Sequence, residues 1–206
     1  MDEYFEYSTR ACLKGSPENC LSVSMLIANF DIERAKPLLE RGCYQEKSDN
    51  CLTLALHFDS QKNYDIAEKL YKKTLELESK SNAVNNLYGA FLRRQHRYKE
   101  AEDILTHAIK ENENNRYGYV ELFNIYMAQK SYVKAEQLAI KSFERFPDFL
   151  AEYNMLGRVV KKTGNYKFIE FMLQKSLNKT PNGFGANYEL GIILFNTKRY
   201  NEGVVL

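Results

Sequence analysis

The sequence predicts an all-α protein built as an α-solenoid, and three observations predict it. Tyr64, Tyr98, Tyr132, Tyr166 and Tyr200 recur at one constant interval. Small residues keep the same register on both sides of these tyrosines. The text between them is rich in alanine, leucine, glutamate and lysine, the residues that favour helix. A fixed period of this length marks one supersecondary unit that cannot bury its apolar face alone and stacks on its neighbours.

The bulk properties agree with a folded, soluble chain. The 206 residues suffice for one sizeable domain or a short repeat array. Apolar residues make up 44% and charged residues 27%, the balance of an ordinary globular protein. A formal net charge of +2 gives no electrostatic footprint for nucleic acid. No apolar run of about 18 residues exists, so no membrane span is expected. The opening text "MDEYFEYSTR" lacks an apolar stretch of signal-peptide type. The chain is then either cytoplasmic, or exported with its leader absent from this sequence.

The repeated text is explicit: "QKNYDIAEKL", "QHRYKEAEDI", "QKSYVKAEQL", "TGNYKFIEFM" and "TKRYNEGVVL". Three residues after each Tyr stands Ala67, Ala101, Ala135 or Gly203, with Ile169 the exception. Nine residues before each Tyr stands Ala55, Gly89, Gly157 or Gly191, with Phe123 the exception. Pro147 and Pro181 are also one period apart. Asn85–Leu92 carries apolar residues on a wide face, as a helix packed on two neighbours requires. Ala101, Ile104, Leu105, Ala108 and Ile109 follow the i, i+3, i+4, i+7, i+8 pattern of an amphipathic helix.

These residues resemble the tetratricopeptide (TPR) repeat, and the resemblance covers about Ser48 to Leu206. It implies a right-handed superhelical solenoid of antiparallel helix pairs. Each repeat would hold a helix A, a turn carrying the Tyr, and a helix B. The repeats read as 48–81, 82–115, 116–149 and 150–183, with a partial one at 184–206. Ala or Gly at the two small positions lets helices A and B approach closely. Packing, and with it the local superhelix angle, must differ at Phe123 and Ile169.

Residues 1–47 follow another spacing. Cys12 and Cys20 are separated by seven residues, and Cys43 and Cys51 likewise. The second pair follows the first at an interval slightly shorter than the tyrosine period. "RACLKGSPENCLSV" and "RGCYQEKSDNCLTL" resemble the cysteine-rich Sel1-like relatives of the TPR. In that family a Cys near the end of helix B is bridged to one eight positions on, at the start of the next helix A. The resemblance therefore implies disulfides Cys12–Cys20 and Cys43–Cys51, each closing a short loop and contributing on the order of 2–3 kcal/mol. Reduced cysteines buried in a core are the alternative reading. A metal site is the third, and the spacing of zinc ligands is missing. Asn19 and Asp49 are candidate helix caps, as is Asp31 for the helix in "NFDIERAKPLLERGC". In that helix Ala35 is the small contact. Pro37 either kinks the helix start or marks a later one. Residues 2–12 read as a lone helix B and "NEGVVL" as a poor cap, the pattern of a fragment of a longer array or of an end covered by a partner.

No catalytic constellation is visible. His57, His96 and His107 are scattered over a helix A, a turn and a helix B, with no Ser/His/Asp or Cys/His arrangement. Phosphate-binding glycine patterns are missing. Glu100, Glu102 and Asp103 suit the start of a helix better than an acid/base pair. "NKT" at Asn178 is a glycosylation sequon of the kind chance supplies often. The chain reads as a non-enzyme without cofactor or metal.

Binding is what the resemblance implies. In TPR arrays helix A residues line a groove that receives peptides or helices. The groove positions here are Asn86, Arg93 and Arg94, then Tyr117, Asn124 and Met127, then Asn154, Arg158, Lys161 and Lys162. Asn amides can clamp a peptide backbone, and Arg offers forked donors to carboxylates. The group Arg93, Arg94, Arg158, Lys161 and Lys162 points to an acidic peptide or a C-terminal carboxylate. The expected function is a protein–protein interaction scaffold, periplasmic or secreted, holding a peptide or a partner subunit. Exported bacterial TPR proteins include the pilotins that assist pilus secretins. The alternative is a cytoplasmic adaptor, or the interaction module of a longer regulatory protein.

Overall fold

The computed structural model describes residues 32–44, 48–147, 149–179 and 183–199, with Glu6, Arg10 and Lys14. Cys12, Asn19, Cys20, Asp31, Pro181, Tyr200 and Gly203 lie outside these residues, as does the side chain of Ala35. Among the described residues there are ten helices and no strand. They are α1 (Ile32–Tyr44), α2 (Ser48–Ser60), α3 (Tyr64–Leu77), α4 (Asn82–Arg94), α5 (Tyr98–Glu111), α6 (Arg116–Ala128), α7 (Tyr132–Arg145), α8 (Leu150–Thr163), α9 (Tyr166–Lys179) and α10 (Phe184–Asn196).

The helix boundaries follow the repeat. Helices α2, α4, α6, α8 and α10 begin one period apart, and α3, α5, α7 and α9 each begin on a periodic Tyr. The turn before each Tyr has a backbone cause. Lys62, His96, Lys130 and Lys198 all have φ near +60°, and Gly164 has φ +72°. These five residues occupy one register position. A left-handed residue after a helix reverses the chain and lets late amides cap the last carbonyls. Asn63 N–H donates to Phe58 O at 2.8 Å, and Arg97, Ser131 and Arg199 make the same bond to Leu92, Tyr126 and Leu194. At Gly164 the amide instead reaches Val160 O at 2.8 Å.

The chain divides into two compact units, Met1–Phe91 and Leu92–Leu206, the division falling inside α4. In the first unit α1 packs on α2 and α2 on α3. Leu39, Leu54, Ala55, Phe58 and Ala67 are buried there. Tyr71 and Phe91, both fully buried, meet with ring centroids 5.2 Å apart. Tyr88 stacks on Tyr71, and Tyr64 meets Phe91 edge-on. Pro37 lies inside α1, which begins at Ile32 and runs on past it. Asp49 is not a cap: α2 already starts at Ser48, and the carboxylate sits in its first turn, where it complements the helix dipole.

In the second unit each helix packs on the next from α5 to α10. Helix α8 also touches α6 and α10, as helices A of successive repeats do. Ala101 and Ala135 are fully buried at their small position. Phe123 and Ile169, the two large residues at small positions, are fully buried too and share one core with Ala135, Leu156, Val159 and Leu173. Asn115 caps α6, its side-chain oxygen accepting from Gly118 N–H at 3.2 Å.

Candidate peptide-binding face

Helix periodicity brings the predicted residues of the second unit to one face. On α8, Arg158, Lys161 and Lys162 are spaced i, i+3, i+4, which stacks them along one side of the helix, and all three are exposed. Asn154, one turn earlier, is exposed as well. On the neighbouring α6, Tyr117 is 67% exposed, and Asn124 and Met127 are partly buried. The two helices are joined across this face. Arg158 Nη1 donates to Asn124 Oδ1 at 3.0 Å, and its guanidinium lies 5.1 Å from the Phe123 ring centroid. Phe123, large where other repeats are small, thus seats the arginine that the sequence placed in the groove.

The predicted basic group is not one patch of open charge. Arg93 Nε donates to Glu121 Oε2 at 3.0 Å, an ion pair within the second unit. Arg94 beside it is exposed. Asn86 lies in the first unit and is partly buried. The cations gathered together are therefore those of α8.

Extending the register by one repeat reaches residues that sequence reasoning missed. Tyr188, Ile192 and Phe195 of α10 stand one period after Asn154, Arg158 and Lys161. Tyr188 is 55% and Phe195 68% exposed. Phe184 stacks on Tyr188, ring centroids 6.0 Å apart, on the same side. An open pocket of about 490 Å³ lies between α8 and α10 beside them. The signal was present in "FGANYELGIILFN", which carries Tyr188, Ile192 and Phe195 where α8 carries Asn154, Arg158 and Lys161.

Two carboxyl groups under this unit are unusual. Glu189 of α10 is buried, and burial pushes its carboxyl up against the opposing pull of Lys161. It rests on the bare backbone of Gly157, where a Cβ would stand 1.9 Å from Glu189 Oε2. Glu152 of α8 is fully buried, accepts from Ser142 Oγ at 3.3 Å and lies 3.7 Å from Arg116 Nη1. Burial raises its carboxyl despite the arginine. Arg116 in turn sits 4.2 Å from the Phe149 ring and 4.9 Å from the Tyr117 ring.

The predicted cysteines divide. Cys43 and Cys51 are joined with their Cα atoms 4.6 Å apart, at the joint between α1 and α2. Gly42 makes room for that joint, since a Cβ there would overlap the fully buried Asn50 side chain. Cys12 and Cys20 are outside the described residues. Of the histidines, His57 is buried in α2, and His96 holds a left-handed turn with its Nδ1 2.8 Å from the Tyr98 hydroxyl. Among the described residues no group of His, Cys, Asp and Glu is arranged to hold a metal. No helix among them is long and apolar enough to cross a membrane.

Comparison with known proteins places this geometry. The tetratricopeptide repeat family matches residues 92–158. No curated protein matches the sequence. Solved structures match over nearly the whole chain at low identity. PilW, a widely conserved type IV pilus biogenesis factor, is 17% identical with a TM-score of 0.63, covering 91% of this chain and 90% of its own. PilF of Pseudomonas aeruginosa is 19% identical with a TM-score of 0.62, covering 98% and 96%. YrrB, a TPR protein with an unusual peptide-binding site, is 16% identical with a TM-score of 0.63, covering 88% and 96%. At these identities the likeness is one of fold: an all-α solenoid of helix pairs.

Proposed function

We propose that this chain is a non-enzymatic protein-interaction scaffold that binds an acidic peptide, or a partner subunit presenting one, across α6, α8 and α10. The observation that carries the reading is the basic row of Arg158, Lys161 and Lys162, held on the same side as Asn124 by the Arg158–Asn124 hydrogen bond. An amide and three cations on adjacent helices suit a peptide with carboxylates. The likeness to TPR structures, among them YrrB with its unusual peptide-binding site, supports the same class of function. Arg93 contributes less, because Glu121 already neutralises it.

The test is charge reversal at Arg158, Lys161 and Lys162 in the full chain, with binding of fluorescent acidic peptides read by anisotropy. A loss of about tenfold or more is expected for contacts to charged groups. Unchanged binding sinks the reading.

The cysteine joints belong to the same proposal. We read residues 1–47 as Sel1-like repeats whose disulfides fix successive helix pairs, in a protein exported to the periplasm or beyond. The likeness in fold to PilW, a type IV pilus biogenesis factor, is what supports this part of the reading. Counting thiols in denatured protein purified without reductant separates this from a cytoplasmic adaptor: none reactive supports export, and four contradict it.

A further inference from the structure

We propose that Tyr117, Phe149 and Leu150, at the N-terminal ends of α6 and α8, form a subsite for an apolar side chain of the bound peptide, about four residues from the carboxylate held at Arg158. This deepens the reading given above and rests on it. The starting point is a broken pattern where helix A begins. Asn115 precedes α6 and caps it, its side chain accepting from Gly118 N–H. One period later Phe149 precedes α8 and offers no side-chain cap. A side-chain oxygen there satisfies an open backbone amide, and a phenyl ring cannot. Phe149 is 46% and the next residue, Leu150, 60% exposed. The chain thus gives up a cap and sets two large apolar side chains in water. Local conflicts of this kind mark functional sites, and clustered exposed apolar surface marks an interaction site. Helix α6 is packed on α5, α7 and α8, and α8 on α6, α7, α9 and α10, so these residues are exposed with helices in place on both sides.

The three residues form one cluster. The Arg116 guanidinium lies 4.2 Å from the Phe149 ring centroid and 4.9 Å from that of Tyr117, so it joins the two rings. It is held in turn 3.7 Å from the fully buried Glu152. The cluster is in line with the polar face. Tyr117 and Asn124 stand at i, i+7 on α6, and Leu150, Asn154 and Arg158 at i, i+4, i+8 on α8. Glu121, on the same side of α6, is neutralised by Arg93. The two rows are joined at one end by the Arg116–Phe149 contact and at the other by the Arg158–Asn124 hydrogen bond. One face is therefore apolar at the start of its helices and basic at their end. The helix rise sets the distance between the two ends, about 12 Å from Leu150 to Arg158. An extended peptide covers that length in about four residues. Charge complementarity with Arg158, Lys161 and Lys162 fixes the acidic end of the occupant, and the Asn154 amide between the two ends can hold its backbone. The occupant is an extended peptide with a bulky apolar residue about four positions from an acidic one.

The experiment titrates fluorescent peptides built on Gly and Ser against the full chain. Each carries an Asp pair and one Phe, placed next to the pair, four residues before it or four residues after it. One of the two spaced peptides is expected to bind about tenfold tighter than its Phe-to-Ala counterpart, its Asp-to-Asn counterpart and the peptide with Phe next to the pair, the size of effect that burying an aromatic side chain or keeping a charge-assisted contact supplies. Two variants remove the subsite. Phe149→Asn restores the cap that Asn115 gives α6, and Leu150→Ser changes an exposed side chain, so the fold should stand in both. In each the Phe-over-Ala preference is expected to vanish while the Asp-over-Asn preference stays. Arg158→Met should do the reverse. Equal binding of the Phe and Ala peptides, a Phe preference blind to spacing, or one that survives in both variants overturns this inference and leaves the acidic-peptide reading intact. Equal binding of the Asp and Asn peptides, or no binding by any peptide, overturns both.

Discussion

Glu102 Oε1 accepts hydrogen bonds from the Tyr126 hydroxyl at 2.9 Å and from Lys134 Nζ at 3.2 Å, so one carboxylate of α5 ties down both α6 and α7. The arrangement belongs to the repeat. Glu68 accepts from Tyr88 at 3.2 Å, Glu136 from Asn165, and Glu170 from Arg199 at 2.7 Å, and these acids share one register position with Glu102. In "AEKL", "AEDI" and "AEQL" the Ala is fully buried and the Glu beside it reaches the following repeat.

The Tyr126 phenol is pushed up to about 12, first by burial and then by the hydrogen bond and charge of Glu102. Glu102→Gln removes the negative charge, so the phenol should titrate closer to its ordinary value. Carbon-13 shifts of labelled tyrosine ring carbons, followed against pH, read this one residue. Glu102→Ala leaves the half-buried hydroxyl unpaired and should cost about 1–2 kcal/mol in denaturant unfolding.

Gly157 and Glu189 form a contact that any side chain at 157 would break. A Cβ would sit 1.9 Å from Oε2 and 2.5 Å from Cδ of a buried residue. Gly157→Ala should therefore destabilise by about 1–3 kcal/mol, the usual cost of overpacking. Adding Glu189→Ala should return most of it. Additive losses in the double-mutant cycle would contradict the contact.

Glu189 also predicts a pH dependence. Its folded carboxyl holds its proton more tightly than the unfolded one because it is buried. Between the two values the native state binds more protons, so its contribution to stability falls as pH rises through that window. It is complete below about pH 4, the ordinary carboxyl range. Glu189→Gln stays neutral throughout. Relative to the parent, the variant should gain stability as pH rises above about 4, measured as the difference in urea midpoints. A constant difference would mean that burial does not perturb this carboxyl.

The left-handed turn position offers a backbone test free of packing. Gly164 has φ +72° and open space where a Cβ would go. Gly164→Ala should thus cost about 1 kcal/mol through conformation alone. Lys130→Gly, at φ +58°, should be neutral or stabilising, although glycine normally weakens a chain. Thermal unfolding of the two variants gives the comparison.

Much of this was legible in the sequence because the repeat sets both the helix starts and the buried small positions. Tyr64, Tyr98, Tyr132 and Tyr166 mark helix starts because the residue two before each adopts the left-handed turn. That conformation is carried by Lys and His as well as Gly, so residue type did not reveal it. The basic row of α8 was legible from spacing. The pairing of Arg93 with Glu121 was not, because it links residues far apart in the chain through three-dimensional packing. The aromatic end of the face escaped for another reason. Apolar residues on a helix read as core, and only the register shows that Tyr188 and Phe195 lie on the same side as Arg158 and Lys161.

The central claim is that the helix A face of the second unit receives an acidic peptide. Backbone amide shift mapping of the labelled full chain, titrated with such a peptide, tests it most directly. The predicted changes fall on Asn124, Arg158, Lys161, Lys162, Tyr188 and Phe195. Changes confined to helix B, around the exposed Phe168 and Phe171 of α9, would contradict it.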